Sequence, residues 1–477
     1  MTGVAETNKR VEQPMDPNRS EIDARTQGPG SQSPPEIRNP EGLGRRVRRT
    51  TETPGADDTE HRGRKWTRFR RDGPRDEQSS DRTPGELTKS ASVVGARAEA
   101  LEDRHRGLLG RTVSLDRIQL PKKPRGLLND PLGREVAWKT KGKSGETHTA
   151  TFVGRTHTGK PVVDDGSSRP RVVAQTVASR KGGAPTRHPL QEVSPRHLRR
   201  PGAELKAALT TILDHVEPGH LPARAYADAL ADAGHAVYVV GGAVRDAIRQ
   251  VVQGGGDVRD VDLVTTALPK DIREVVGQLE DRGGQPVSSP SFVDQFGAVL
   301  LEGDKMDLVT LKVGSKRHET PKKSKAIFGS DVMKDAGLRD FTLNALYYDP
   351  VNGVVVDPTG RGVQDAADGV LRLAEHPDDC NASHALRYFK FRGRGYEPAE
   401  GLTEQVRAIA ERTFGARGMP AKVARISVGS ADHDDAARAW LSELRRVMDR
   451  DGMADLYDRH IAPDEDEIVR RIVERNR

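Results

Sequence analysis

The sequence predicts an α+β fold for the second half of the chain. A short apolar strand, Ala236–Val240, runs into Gly241-Gly242, and a helix follows over Ala243–Val252. Two further strands, Ala298–Leu301 and Met306–Leu311, are joined by polar turn residues and predict a hairpin. Helical periodicity dominates the C-terminal part. Strands and helices segregated in this way are typical of the α+β class.

Composition limits how much of the chain can fold and excludes several kinds of protein. Of 477 residues, 34% are hydrophobic and 4% aromatic, with 48 Gly and 30 Pro, so part of the chain cannot bury enough apolar surface. The single cysteine, Cys380, excludes a disulfide scaffold and is expected to be a small buried residue. The sequence contains no apolar run long enough to span a membrane and its start has no apolar segment, so we expect a cytoplasmic protein without a membrane partner.

The domain organisation follows from shifts in composition. Residues 1–130 are polar and basic and are predicted to be disordered. Four Val- and Thr-rich strands separated by Gly-containing turns are predicted in residues 131–180, which form either a small SH3-like β-barrel or an irregular β-rich linker. The strands cover Arg134–Trp138, Thr147–Val153, Gly159–Val163 and Arg171–Ala178. Residues 181–202 are a linker, 203–375 a globular α+β domain and 376–477 a helical region.

The N-terminal extension carries one cationic stretch with two aromatic residues, Arg62–Arg71. Guanidinium groups contact phosphates and aromatic rings stack on bases, so this stretch is either an RNA-contacting arm or an ordinary solvated charge run. Lys and Arg exceed Asp and Glu by 77 to 71, a mild excess that favours a polyanionic partner where the charge is clustered.

The glycine pair after the strand predicts a phosphate-binding turn. Two glycines let the backbone turn tightly and approach a ligand closely. The helix that follows directs its N-terminus towards that ligand, which suits a phosphate. Arg245 lies in the first turn of this helix and can bind phosphate or ribose oxygens.

Paired acids on the next strand predict a metal site. Asp260 and Asp262 are two residues apart and therefore face the same way in a strand. Two carboxylates on one face of a strand repel each other unless cations bind between them, and Mg²⁺ prefers such oxygens. Apolar Val261 and Leu263 argue against the alternative of an exposed strand. Asp307 on the later strand would take a proton from an attacking hydroxyl or share a metal ion.

Together these motifs resemble the head domain of class II CCA-adding enzymes and bacterial poly(A) polymerases, which belong to the DNA polymerase beta-like superfamily of nucleotidyltransferases. The resemblance covers about residues 235–392. It is carried, in order, by YVVGGAVRDAI (238–248), RDVDLVTTALP (259–269), QFGAV (295–299), Met306–Lys312, LRDFTLNAL (338–346) and DPTG (357–360) with Asp365, Gly369 and Arg372.

The resemblance implies a nucleotidyltransferase head, a mixed sheet flanked by helices, followed by a helical neck. It implies transfer of CMP and AMP from CTP and ATP to the 3′ end of an RNA, with tRNA as the expected partner and two Mg²⁺ ions as cofactors. The catalytic residues would be Asp260, Asp262 and Asp307, with the metal on Asp260 and Asp262. The nucleotide-binding residues would be Gly241, Gly242, Arg245, Arg339, Asn344, Asn381, His384, Arg387 and Lys390.

The neck departs from the family at the positions that contact the incoming base. Asn381 and His384 stand where the family has an Asp and an Arg, and Cys380 replaces a Glu. The amide of Asn381 and the imidazole of His384 can form the same hydrogen bonds as that Asp and Arg, but they lack the charges of the two residues. We therefore expect looser discrimination between CTP and ATP.

Three functions remain open on the sequence. The first is CCA addition to tRNA. The second is a nucleotidyltransferase of another purpose, either a poly(A)-type polymerase or an accessory or toxin enzyme that modifies tRNA ends. The altered neck and the short C-terminal region favour this second function. The third is a noncatalytic RNA-binding relative, which Asp260, Asp262 and Arg245 argue against.

Overall fold

The structure is a computed structural model that describes most of the chain from residue 105 onwards. The described residues are 105, 107–140, 145–167, 170–179, 188–216, 221–254, 261–283, 291–293, 297–301, 306–316, 325–427 and 431–476. They all lie in one compact unit, Asp81–Arg477. The basic stretch Arg62–Arg71 and the predicted metal ligand Asp260 lie outside the described residues.

Eighteen strands occur in the described part of the chain. They are β1 Leu109–Thr112, β2 Glu135–Lys139, β3 Thr147–Arg155, β4 Pro161–Asp164, β5 Arg171–Val172, β6 Ala178–Ser179, β7 Leu198–Pro201, β8 Val237–Val240, β9 Val261–Thr265, β10 Ser291–Val293, β11 Ala298–Leu301, β12 Met306–Thr310, β13 Lys312–Lys316, β14 Lys325–Phe328, β15 Tyr347–Asp349, β16 Val354–Val356, β17 Val370–Leu371 and β18 Glu397–Pro398.

Twelve α-helices occur among the same residues. They are α1 Ala203–Asp214, α2 Ala223–Asp232, α3 Gly242–Gln253, α4 Pro269–Gly283, α5 Val332–Ala336, α6 Gly362–Asp368, α7 Ala382–Gly393, α8 Leu402–Thr413, α9 Met419–Ile426, α10 Asp434–Arg450, α11 Ala454–His460 and α12 Glu465–Asn476. The predicted strands Ala236–Val240, Ala298–Leu301 and Met306–Leu311 and the predicted helix Ala243–Val252 are present as β8, β11, β12 and α3, with ends shifted by at most one residue.

A mixed nine-stranded sheet forms the centre of the head, in the order β1-β7-β16-β15-β8-β9-β12-β11-β10. The apolar strand β8 is its middle strand and is buried throughout. Because side chains alternate along a strand, Val237 and Val239 pack into one hydrophobic core and Tyr238 and Val240 into the core on the other face. Burial on both faces explains why this strand is apolar without interruption.

A second sheet is built from two distant parts of the sequence. Strands β2 to β6 contribute five strands, and the hairpin of β13 and β14 joins them through β14, which pairs with β3 at Phe328 and Arg155. The sequence prediction of strands in residues 131–180 did not include this hairpin. The described strands thus form one seven-stranded sheet, two strands of which come from the head. A separate SH3-like barrel stays a prediction.

The structure also differs from the expected domain boundaries. Strand β1 lies in the segment assigned to the disordered extension, and β7 lies in the segment assigned to the linker. The two strands pair with each other, and β7 pairs with β16, so both belong to the sheet of the head. These strands are short and charged, with no periodicity of their own, and long-range pairing decides their conformation.

The C-terminal helices pack against the head through one continuous hydrophobic core. That core contains Val244 of α3 together with Leu386 of α7, Ile409 of α8 and Leu441 of α10. A polar contact adds to it: Arg392 donates from Nε and Nη2 to Asp451, at 3.0 Å in both cases. Both side chains are mostly buried, so this ion pair connects α7 firmly with the end of α10. Among the described helices, none is both long enough and apolar enough to cross a membrane.

We predict that Gly154→Ala destabilises the contact between the two parts of the second sheet. A Cβ at this position would lie 2.4 Å from the carbonyl oxygen of Phe328 and 2.8 Å from Cγ2 of Ile327. The added Cβ has no room, because backbone lies on one side of it and a buried side chain on the other. We therefore expect the free energy of unfolding, measured by urea denaturation, to fall by about 1–3 kcal/mol.

The matched control is Gly277→Ala in α4, where an added Cβ has no atom within 4 Å. This change removes a helical glycine, so it should leave stability unchanged or raise it by about 0.5–1 kcal/mol. Equal unfolding midpoints for Gly154→Ala and the wild type would contradict the close packing of β14 on β3.

Candidate active site

The glycine turn at the end of β8 is the centre of the candidate site. Gly241 has φ 72° and ψ −125°, a conformation that side-chain-bearing residues avoid. Its carbonyl accepts the hydrogen bond from the Arg245 N–H at 3.1 Å and so begins α3. A Cβ on Gly241 would lie 3.8 Å from Oδ2 of Asp262 and 3.8 Å from Nη1 of Arg339. The carboxylate of Asp262 and the guanidinium of Arg339 therefore both lie near Gly241, which has no side chain.

Strand register brings two of the three predicted carboxylates together. In the sheet, Asp262 of β9 pairs with Val240 of β8 on one side and with Asp307 of β12 on the other. Paired residues on adjacent strands are about 5 Å apart and project to the same face. Asp262 and Asp307 are both half-buried, and Asp262 pairs with the residue that precedes the glycine turn. The third carboxylate, Asp260, lies outside the described residues.

Buried partners hold Arg339 in place. Asp335 Oδ2 accepts hydrogen bonds from Arg339 Nη2 at 2.9 Å and from the Tyr347 hydroxyl at 2.7 Å, and the same hydroxyl accepts from Arg339 Nε at 3.1 Å. Burial alone would lower the pKa of the Arg339 guanidinium, but Tyr347 and Asp335 outweigh it and raise the pKa. Arg339 is thus a fixed cation whose Nη1 points towards the glycine turn.

A chain of polar contacts connects the predicted nucleotide-binding residues with each other. Asn344 Oδ1 accepts from Arg245 Nη1 at 2.7 Å, and its Nδ2 donates to Asp340 Oδ1 at 3.0 Å. The other oxygen of Asp340 forms an ion pair with Arg387 Nε of α7 at 2.6 Å. Burial would raise the pKa of the Asp340 carboxyl, but Arg387, Asn344 and the Phe341 N–H together hold it below its ordinary value.

The two unusual neck residues bind to their own helix. Asn381 is the N-cap of α7, and its Oδ1 accepts from the Ser383 N–H at 2.9 Å. His384 Nδ1 accepts from the Asn381 N–H at 3.1 Å, which completes a capping box. Nε2 of His384 lies 3.1 Å from Oε2 of Glu375. In the structure both side chains therefore stabilise the start of α7, so the assignment of base-reading roles to them stays a prediction.

Cations cluster where α7 faces the N-terminus of α3. The guanidinium of Arg245 lies over the Phe391 ring, 5.1 Å from the centroid. Burial, together with the charges of Arg394, Arg387 and Arg245, lowers the pKa of Lys390 to about 8. Like charges held together in this way are typical of a site that binds an anion.

Sequence reasoning missed the residues that support the site. Asp335 and Tyr347 orient Arg339, and Asp335 Oδ1 also accepts from the Lys312 N–H at 2.9 Å. The Lys312 side chain lies in the fields of Asp335, Arg339 and Asp307, and burial lowers its pKa. The four-residue spacing of Asp335 and Arg339 was the available signal, since such pairs meet on a helical turn.

Residues 237–372 match the model of the Poly A polymerase head domain. The chain is 29% identical to the CCA-adding enzyme of Lactobacillus helveticus (strain DPC 4571) over 161 residues. It is 30% identical to the CCA-adding enzyme of Bacillus subtilis (strain 168), also over 161 residues. Each match covers 34% of this chain and 37% of the relative, so the chain spans little more than a third of the length of the curated relatives it matches.

Among solved structures, one match is the Bacillus stearothermophilus CCA-adding enzyme in complex with CTP. It has a TM-score of 0.35 at 23% identity and covers 48% of this chain and 53% of that one. Since this TM-score is low, the likeness to the family rests on the sequence match.

We predict a pH-dependent affinity for polyphosphate that depends on Lys390. An anion favours the charged lysine, and with a pKa of about 8 its protonated fraction falls from about 90% at pH 7 to about 10% at pH 9. Binding of inorganic tripolyphosphate, measured by calorimetry at both pH values, should weaken several-fold more in the wild type than in Lys390→Arg. Tripolyphosphate itself titrates between these pH values, but this affects both proteins equally and cancels in the ratio of their affinities. An identical pH dependence would exclude Lys390 from the anion site.

Proposed function

We propose that this protein is a template-independent RNA nucleotidyltransferase that adds CMP and AMP from CTP and ATP to the 3′ end of tRNA. The observation that carries the proposal is that Asp262 and Arg339 both lie near the turn of Gly241, while Asp307 pairs with Asp262 on the neighbouring strand. The match of residues 237–372 to the model of the Poly A polymerase head domain and the likeness to CCA-adding enzymes support it.

The carboxylates fit a hard divalent cation. Asp262 and Asp307 offer oxygen ligands from neighbouring strands, and Asp260, two residues before Asp262, would add a third carboxylate. We assign Asp260 and Asp262 as the ligands of two Mg²⁺ ions, which when bound would make a 3′ hydroxyl more acidic and neutralise a leaving pyrophosphate. Asp307 is placed to accept the hydroxyl proton or to share a metal ion.

The remaining residues would bind the triphosphate. The turn at Gly241 and Gly242 lets phosphate oxygens approach the backbone at the N-terminus of α3. Arg339 would supply a fixed positive charge on one side of the turn, and the cation cluster around Lys390 would supply further charge on the neck side. Arg245 is 7% exposed and is bound to Asn344 and Asp246, so its main role would be to hold the turn and the ribose-facing Asn344 in place.

The choice of tRNA rests on the relatives, which are named CCA-adding enzymes but are matched over little more than a third of their length. Poly(A)-type addition or modification of tRNA ends by an accessory enzyme would use the same site, and the altered neck is the feature that favours them. The cytoplasmic location expected from the sequence stays a prediction.

We predict that Asp262→Asn abolishes nucleotide addition. A carboxylate that holds a metal ion contributes to the transition state rather than to the hydrophobic core, so turnover should fall by about 10³-fold or more while the unfolding midpoint changes little. The assay uses labelled CTP and ATP on tRNA that lacks CCA, with the product sequence read on a gel. The matched control is Asp228→Asn, an exposed carboxylate on α2, which should retain full activity.

The products of this assay separate the candidate functions. CMP followed by AMP on truncated tRNA supports CCA addition, and AMP runs on many RNAs support a poly(A)-type enzyme. If the wild type adds no nucleotide to any RNA tested, the result supports the third function, a noncatalytic RNA-binding protein. Near-normal turnover by Asp262→Asn would refute the metal assignment.

We predict that deletion of residues 1–104 weakens RNA binding but not catalysis at saturating RNA. This deletion removes Arg62–Arg71 and leaves β1 and β7 in the sheet of the head. With fewer phosphates neutralised, Kd for tRNA should rise, and the slope of log Kd against log salt should flatten by about one unit for each phosphate that the protein no longer binds. The control exchanges Arg62, Arg64, Lys65, Arg68, Arg70 and Arg71 for Gln in the full chain. An unchanged salt slope in both proteins would assign the extension another role.

A further inference from the structure

A cluster of three metal-ligating side chains lies at the start of α7. Glu375, Cys380 and His384 each present one ligand atom, and the three atoms lie within 4.8 Å of one another. Oε2 of Glu375 is 3.1 Å from Nε2 of His384. The side chains of Glu375 and His384 are 11% and 13% exposed, and Cys380 is 4% exposed. The sequence predicts Cys380 as a small buried residue, and the structure places a histidine and a carboxylate beside it.

Local structure assembles the cluster. A 3₁₀ turn over Pro377–Asp379 reverses the chain, and the Cys380 N–H donates to the Pro377 carbonyl at 3.2 Å. His384 follows in the first turn of α7. Arg412 of α8 donates to the carbonyls of Pro377 and Cys380 at 2.9 and 3.2 Å. The three side chains are therefore held together by backbone geometry and by a neighbouring helix.

We propose that Glu375, Cys380 and His384 bind one Zn²⁺ ion. A thiolate, an imidazole and a carboxylate are the ligands of this borderline-soft cation, whereas Mg²⁺ selects oxygen alone. Ligand atoms around tetrahedral zinc are about 3.5 Å apart, and the three ligand atoms here lie within 4.8 Å of one another. Three protein ligands leave the fourth position to a water molecule. The site is independent of the proposed function.

The positions of the protons before binding determine how many protons are released when zinc binds. Since His384 Nδ1 accepts from the Asn381 N–H, the ring proton of the neutral imidazole is on Nε2, facing Glu375. Zinc on Nε2 moves that proton to Nδ1 and ends the contact with Asn381, while the Asn381 side chain still caps the helix at Ser383. The Cys380 thiol gives its proton to the buffer. Binding therefore releases about one proton per ion at neutral pH.

The consequence is a fixed junction between head and neck. Glu375 follows the last strand segment of the head, where Leu373 bridges to Phe341, and His384 belongs to the neck helix. An ion shared by the two would hold α7 in the orientation that places Arg387 against Asp340.

The test titrates the full chain, freed of metal with EDTA, with Co²⁺ and Zn²⁺. Cys380 is the single cysteine of the sequence, so a thiolate-to-Co²⁺ charge-transfer band in the near ultraviolet reports this site alone. We expect one Co²⁺ per chain, displacement by one Zn²⁺ but not by millimolar Mg²⁺, and about one proton released in calorimetry with two buffers. Absence of the band and of zinc heat at about 100 μM metal would overturn the proposal.

Variants assign the ligands. Cys380→Ser should abolish the band and weaken Zn²⁺ binding at least about ten-fold, and Glu375→Gln should weaken Zn²⁺ binding while it keeps the band. The matched control is His433→Gln, an exposed histidine at the start of α10, which should bind Co²⁺ like the wild type. Circular dichroism checks that each variant is folded. Zinc affinity in Cys380→Ser equal to that of the wild type would place the metal elsewhere and refute the site.

Discussion

The buried carboxylate of Asp340 is the constraint on which the arrangement of the site depends. It accepts from the Asn344 amide and from the Phe341 N–H and faces the Arg387 guanidinium. Taking a carboxylate out of water costs several kcal/mol unless such partners compensate. Because those partners come from the head and from the neck helix, the chain lowers its energy only when the two parts dock in one relative position. Arg245, bound to the same Asn344, is placed by that docking.

The glycine turn depends on a different kind of constraint. A positive φ at Gly241 permits β8 to end and α3 to begin within one residue, and the missing side chain leaves space between Asp262 and Arg339. The Arg339 guanidinium binds Asp335 and Tyr347 through its Nε and Nη2 donors, and its Nη1 is directed at the turn. Supporting contacts of this kind determine what a charged residue can do for a substrate.

The second sheet extends the head rather than forming an appendage. Its strands β13 and β14 come from the segment that follows Asp307, and β14 reaches β3 through the space left by Gly154. Movement of the N-terminal strands would therefore act on the chain directly after one of the proposed catalytic carboxylates. The first part of the chain and the site are mechanically connected, although they are far apart in sequence.

The sequence by itself determined the elements whose signals are local. The apolar run of β8, the glycine pair, and the alternation of acids and apolar residues in β9 and β12 are each set by neighbours two to four positions away, and the structure has them close to the expected bounds. Tertiary structure alone decided three other features: the pairing of β1 and β7 with the head, the support of Arg339 by Tyr347, and the meeting of Cys380 with Glu375 and His384. The physical reason is the same in each case. Short polar segments have no periodicity that records their partner, so strand pairing, burial and charge compensation across the folded chain determine where they lie.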